Sequence, residues 1–384
     1  MNVPTEFDEI RPYSPEELPT IYEELVEDAD FRAVISKVMP DIPWELFVAQ
    51  MRQCKTNFEF QKAFCYPFLW KLVRTCSDGM TMGCDSLKGT QVAHTFISNH
   101  RDIILDSALL SVLLVDNGLS TVEIAIGDNL LIYPWIKKLV RINKSFIVQR
   151  ALTMRQMLES SARMARYMHF AINEKHEHIW IAQREGRAKD SDDRTQESVL
   201  KMMAMGGEGS IVERLKGLHI TPLSISYEYD PCDYLKAKEF QQKRDDASFK
   251  KSRQDDLLNM QVGLLGYKGK IHFEIGEYID DKLDALSPDM PKNELFATIS
   301  GMIDSQIHKN YHFYPGNYVA YDLLMHTPRF ADLYTEEQKE KFDSYLNGQL
   351  EKIDLPDKDE DFLREKMLEM YANPLKNHLL AIEQ

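Results

Sequence analysis

Apolar positions along this chain change rhythm twice. From Trp44 to about Cys76 they keep helical spacing, in an aromatic-rich stretch of Trp44, Phe47, Met51, Phe58, Phe60, Phe64, Phe68 and Trp70, interrupted near Pro67. From Met82 onward, short apolar runs alternate with longer amphipathic stretches. The runs predict strands near 81–84, 92–98, 121–126, 145–148, 179–183, 220–227 and 270–275; the stretches predict helices near 103–116, 131–141, 151–174, 196–206 and 236–260. After Asp281 the pattern is helical again, over 295–309, 318–325, 335–350 and 362–382. Strands alternating with helices predict an α/β fold, a mixed and largely parallel sheet flanked by helices, with helical additions at both ends. The expected division is a helical region over 1–80, an α/β domain over 81–330 and a C-terminal helical tail over 331–384.

Several stretches carry their own expectation. The first 42 residues are acidic and punctuated by Pro4, Pro12, Pro15, Pro19 and Pro40, which mark turns and short helices. The aromatic stretch packs on a core or lies in a membrane interface beside Lys71 and Arg74, and the two roles are compatible if each takes one face. Met154, Met157, Leu158, Ala162, Ala165 and Met168 form an apolar stripe that reads as core. The mixed charges of 236–256 read as a solvated helix face.

Composition narrows the function classes. Of 384 residues, 43% are hydrophobic and 28% charged, as in ordinary globular proteins. A net charge of −15 argues against nucleic acid as a partner, because phosphate backbones attract basic surfaces. Five cysteines without CxxC spacing point to reduced thiols and to no metal site. The polar, acidic start has no secretory pattern, and no run reaches the roughly 18 to 20 apolar residues of a membrane span. A cytoplasmic protein in peripheral contact with a membrane is therefore expected.

The densest candidate chemistry is Asn99-His100-Arg101-Asp102-Ile103-Ile104-Leu105-Asp106, between an apolar strand run and an apolar helix run. A histidine at a strand exit can take a proton from a hydroxyl, and a carboxylate at the helix start can fix its tautomer. Either Asp106 or Asp102 can fill that second role, and Asp102 also suits a helix cap. Six residues of offset on one helix would put the pair about 120° out of line, so His100 belongs in the loop before the helix. Three further blocks follow in order. Phe146-Ile147-Val148-Gln149-Arg150 ends a short strand, Glu185-Gly186-Arg187 breaks another, and Ile220-Thr221-Pro222 opens a third.

Strand–His–Asp, Phe-Ile-x-x-Arg, Glu-Gly-x and a proline-leading strand, in that order, resemble the four blocks of the phospholipid/glycerol acyltransferase family, from about Met82 to Asp280. The resemblance implies His100 as general base with Asp106 as its orienting carboxylate. It implies Phe146, Arg150, Glu185, Gly186 and Arg187 as acceptor-binding residues, and Pro222 on the wall for the acyl donor. It implies no cofactor, with acyl-CoA or acyl-carrier protein as co-substrate. The acceptor is then a hydroxyl of glycerol 3-phosphate or a lysophospholipid in membrane lipid synthesis, or of a lyso-aminolipid. A non-catalytic lipid-binding relative is the other reading. The chain departs from the family's pattern in leaving five residues between His100 and Asp106 where four are usual. Arg184 replaces a proline before Glu185, and Arg187-Ala188 stands where Thr-Arg is usual.

Other patterns are weaker. Glu174-Lys175-His176-Glu177-His178 lacks helical His-Glu-x-x-His spacing and reads as a solvated loop. Gly206-Gly207-Glu208-Gly209-Ser210 lacks the Gly-Lys-Ser/Thr ending of a P-loop and reads as a flexible turn. No Gly-x-Ser-x-Gly elbow is present.

Overall fold

The computed structural model describes residues 3–150 and 153–383. Helices α1 (Leu18–Val26), α2 (Ala29–Val38), α3 (Trp44–Gln53), α4 (Asn57–Phe60) and α5 (Tyr66–Cys76) come first, with a π turn at Gln61–Cys65 joining the last two. Then follow β1 (Met80–Gly83), β2 (Thr95–Ser98), α6 (Leu105–Asp116), β3 (Glu123–Gly127), α7 (Pro134–Ile142), β4 (Ser145–Val148), α8 (Met154–Asn173) and β5 (Ile179–Ala182). The chain continues through α9 (Glu197–Met203), α10 (Ile211–Lys216), β6 (Ile220–Tyr227), α11 (Asp233–Asp245), α12 (Arg253–Leu265), β7 (Ile271–Ile275) and α13 (Asp280–Asp284). It closes with α14 (Lys292–Lys309), α15 (Pro315–Leu324), α16 (Glu336–Glu351) and α17 (Glu360–Ile382).

The fold is α/β. Among the described residues the strands form one seven-stranded sheet in the order β1-β7-β6-β2-β5-β3-β4. Five neighbouring strands, from β6 to β4, run parallel; β7 is antiparallel to β6 and carries β1 parallel to itself. Parallel strands covered on both faces need apolar or small residues throughout. β2 and β6 meet that demand, with every residue buried. Phe96 joins a core with α5 and α6 on one face, and Ile97 joins a core with α8, α9 and α14 on the other. A further cluster unites α11, α15, α16 and α17, and another gathers α1, α2, α3 and the π turn.

The strand positions agree with the hydrophobic rhythm to within three residues. Other expectations change. The helix expected over 236–260 is two, α11 and α12. Asp246 ends the first by turning its carboxylate to the Ser248 amide, and Ser252 starts the second in a reciprocal cap with Asp255. Its charged face is also less solvated than expected: Lys236 is buried and pairs with Asp230.

The stripe on α8 is core only in its second half. Ala165 and Met168 are buried, while Met154, Met157 and Leu158 stand 74%, 43% and 58% exposed. A helix of 20 residues is roughly 30 Å long, against roughly 13 Å for a four-residue strand, so its first turns project past the sheet. Residues 151 and 152 of that expected helix lie outside the described residues.

The aromatic stretch is largely core. Phe47, Phe60 and Phe64 are buried and in mutual ring contact, Trp44 stacks on Phe47, and only Phe58 of the aromatic residues is exposed. Nor is 174–178 merely a solvated loop. Lys175 pairs with Glu123, Glu177 pairs with Lys144, and His178 accepts a hydrogen bond from the His94 amide. Gly206 packs on the α8 backbone at Ala165, where an added Cβ would lie 2.6 Å away; packing as much as flexibility explains the glycines there.

Candidate active site

The loop between β2 and α6 lies at the carboxyl end of the parallel strands, where open α/β sheets present their crevices. Asn99 extends the β2–β6 ladder past its last backbone pair. Its side chain donates to the Ile225 carbonyl at 2.9 Å and accepts from the Ile225 amide at 2.8 Å. The next residues then turn away from the sheet. Arg101 reaches inward to Asp193 with two parallel bonds of 3.0 and 2.6 Å, and both partners are buried. Such a bidentate pair fixes orientation as well as distance. Tyr311 donates to the same Asp193 carboxylate, and the backbone carbonyl of Asp193 lies 2.8 Å from His308 Nε2.

Held between these anchors, His100 places Nδ1 2.7 Å from Asp106 Oδ2. The same oxygen accepts the Arg101 amide at 2.6 Å and the Asp102 amide at 3.1 Å, and Tyr227 donates to Oδ1 at 3.2 Å. Four donors converge on one fully buried carboxylate. An oxygen so engaged is an acceptor, so Nδ1 carries the ring proton and Nε2 keeps its lone pair. Burial and Asp106 hold the Tyr227 hydroxyl well above its ordinary pKa, which keeps it a donor. Trp180 meets the imidazole edge-on with centroids 5.6 Å apart, and its own Nε1 donates to Ser98.

Asp102 has a different task. Its Oδ1 accepts the Ile104 and Leu105 amides, both at 2.8 Å, and so caps α6. Burial and the neighbouring Asp106 push its pKa up, against the opposing pull of those two amides and of Arg187. Thus Asp106, not Asp102, contacts the histidine. The fifth intervening residue is absorbed in the loop, because the helix begins only at Leu105.

The remaining candidates fall into three groups. Arg187 is close to the dyad loop: its guanidinium donates to Asn259 Oδ1 at 2.9 Å, senses Asp102 and Asp230 as charges, and has its other terminal nitrogen buried without a partner. Arg150, Glu185 and Gly186 form a second group at the ends of β4 and β5. Arg150 pairs with Glu185 at 3.1 Å on the surface, and Gly186 turns with φ +68°, in the region that favours glycine. The structure does not bring Phe146 and Pro222 to either. Phe146 is buried in the core against Tyr167, on the inner side of its strand. Pro222 sits inside β6 opposite Ile97, where its carbonyl accepts the Gly276 amide just outside the β6–β7 ladder. Proline cannot return a bond to Gly276, and the β6–β7 ladder ends at this pair.

Sequence reading missed the supports. Tyr227, Asn99 and Asp193 hold the loop, and α12 roofs it: the carboxylate of Asp102 fills the space beside Gly263, where an added Cβ would lie 2.0 Å from Oδ2. Cys232 donates its thiol to the Asn259 carbonyl, pinning the same helix. Behind Arg101 and Tyr227 lies a small cavity of about 30 Å³, lined also by Tyr311, His312 and Tyr371. Among the described residues no group of three or more His, Cys, Asp or Glu side chains is arranged to hold a metal ion, and no helix is long and apolar enough to cross a membrane.

No family model matches the sequence, and no curated protein matches it. Among solved structures, the chain is similar to the 1-acyl-sn-glycerophosphate (LPA) acyltransferase PlsC from Thermotoga maritima. The TM-score is 0.38 and the identity 11%, over 76% of this chain and 95% of that one. So remote a likeness leaves the chemistry to be argued from the site itself.

Proposed function

We propose that the protein is an O-acyltransferase that uses His100 as general base. The observation that carries this reading is the dyad: a histidine whose Nδ1 is held by a buried aspartate, leaving Nε2 free at the carboxyl end of the sheet. The acyl donor is acyl-CoA or acyl-carrier protein, and the acceptor a hydroxyl of glycerol 3-phosphate or a lysophospholipid. Nε2 takes the hydroxyl proton as the oxygen attacks the thioester carbonyl. The tetrahedral intermediate collapses, the C–S bond breaks, and the thiolate leaves with the proton returned from the imidazolium. Ester and thiol are the products, with no acyl-enzyme. Asp106 stabilises the imidazolium that forms in between.

The amides of Arg101 and Asp102 are spent on Asp106, and those of Ile104 and Leu105 on Asp102. With four of the loop amides so engaged, oxyanion and phosphate stabilisation in this reading fall mainly to side chains. Arg187, with one unpaired terminal nitrogen beside the loop, and Arg150, half-exposed at the end of β4, supply the cations.

The test is thiol release from a long-chain acyl-CoA, with glycerol 3-phosphate, lysophosphatidate and a lyso-aminolipid compared as acceptors. Acceptor-dependent release that His100→Ala abolishes supports the reading. A folded protein that binds lipid and releases no thiol with any acceptor overturns it in favour of a non-catalytic lipid-binding role.

A further inference from the structure

The roof of the site is built inside out. At 100° per residue, Leu257, Gln261, Gln254, Leu265 and Leu258 of α12 share an arc of roughly 100° that carries no charge. The opposite arc holds Asn259 and Gly263, both buried, which face Arg187 and Asp102. So the inward face of this helix is built of Asn259 and Gly263, with Leu264 packed on the core beside them. Leucines point out, with Leu257, Leu258 and Leu265 at 37%, 44% and 57% exposure. A helix that merely covered a core would show the reverse. Cations stand at the start of this face: Lys250 and Arg253 are exposed, beside a Lys251 already engaged by Asp256.

A second apolar prominence stands at the same carboxyl end of the sheet, on the opposite face. α8 follows the carboxyl end of β4, so its projecting first turn, with Met154, Met157 and Leu158, rises at the end of the sheet that carries His100. The two prominences flank the dyad, one reached through β5 and β3 and the other directly over α6.

We infer that this face of the molecule is a docking surface for a phospholipid bilayer, with the leucines of α12 and the Met154–Leu158 turn entering the interface. The uncharged leucine arc fits the acyl boundary, and Lys250 and Arg253 fit anionic headgroups at its edge. The net charge of −15 opposes long-range attraction to anionic lipid, so insertion of apolar side chains does the binding and salt weakens it only modestly. The inference deepens the proposed acyl transfer, since a lipid acceptor would then arrive at the roof of the site.

Vesicle flotation of the full chain tests it, using phosphatidylcholine vesicles with and without phosphatidylglycerol. The parent protein should float with both. Leu257→Ser combined with Leu258→Ser and Leu265→Ser should lower the bound fraction constant at least about tenfold, and Met154→Ser with Leu158→Ser several-fold. These side chains face solvent, so an unchanged melting temperature accompanies the loss. Flotation needs no turnover: loss of binding without any acyl transfer would sustain the docking face while sinking the proposed activity. A parent protein that stays with the soluble fraction overturns the inference, as does a triple variant that floats equally well. So does a molar mass in solution that halves in the triple variant while vesicles are ignored, which would assign the leucines to a second copy of the chain.

Discussion

Both ends of the sheet carry a histidine bonded to an aspartate, and the two pairs are almost equally short. His100 lies 2.7 Å from Asp106 after β2; His219 lies 2.6 Å from Asp280 before β6. Distance alone does not tell them apart. What differs is how the carboxylate is held. Asp106 is fully buried and receives four donors, three from the loop and one from β6. Asp280 is held from one side, with its other oxygen buried and unpartnered. The amino end adds two more histidines, His94 and His178, whose rings stack 5.7 Å apart and whose polar atoms are tied to Thr90, Thr221 and each other. A histidine built to move a proton keeps one nitrogen free; His94 has both engaged, and His178 spends Nδ1 on the His94 amide. The proposed proton transfer thus belongs to the carboxyl end, while the amino end fastens strands.

The comparison breaks first if His100 is dispensable. His100→Ala should lower acyl transfer by roughly 10²–10⁴-fold, the usual worth of a general base, while circular dichroism stays native. Residual activity above about a tenth would remove His100 from the chemistry.

The amino end should respond to pH through stability rather than rate. Burial pushes both His94 and His178 down to about 4 from an ordinary 6.5. The depressed value means the unfolded chain binds these protons more readily. Their contribution is therefore complete above pH 6.5 and is lost as pH falls from there through 4. One such histidine is worth about 3 kcal/mol over that window. Urea unfolding at intervals between pH 7 and 4 should show the decline, and His94→Gln should flatten it. A flat profile in the parent protein would mean that these rings are not tied as described.

Asp106→Asn should cost roughly 10- to 150-fold in rate, the value of one charge-assisted bond, with little change in fold because the amide oxygen can still accept the three donors at Oδ2 and the Tyr227 hydroxyl can turn to accept from the amide nitrogen. Asp102→Asn should spare the rate and soften the α6 cap. Reversed effects would transfer the pairing to Asp102. Gly263→Ala comes next. Its new methyl meets the Asp102 carboxylate, so the roof helix must shift at about 1–3 kcal/mol of stability, read as a lowered denaturant midpoint.

Much of this was legible in the sequence, for identifiable reasons. The inner strands, buried on both faces, leave short apolar runs, and the seven described strands lie where such runs predict. His100 in a loop before the helix followed from helical geometry alone. What stayed hidden depended on chain segments far apart in sequence. Nothing near Gly263 announces that it lies against Asp102, and the partnership of Arg101 with Asp193 spans 92 residues. The stripe on α8 misled because periodicity reports a face, not how far the sheet beneath it extends. Phe146 and Pro222 were nominated by motif position, yet one is turned into the core and the other is locked in a strand.

The smallest effect is also the sharpest check on the contrast between the two ends. His219 and Asp280 keep 25% and 11% of their side chains exposed, between an open surface pair and a sealed one. Partial solvent contact screens the attraction, so His219→Ala should cost only about 1 kcal/mol, part of it from leaving Asp280 without a side-chain partner. A small drop in melting temperature is the expected reading, with acyl transfer unchanged within about twofold. The outcome that would collapse the contrast is a rate loss comparable to that of His100→Ala at unchanged stability. The 2.6 Å pair would then be a second proton-handling site, and position on the sheet would no longer separate a working dyad from a staple.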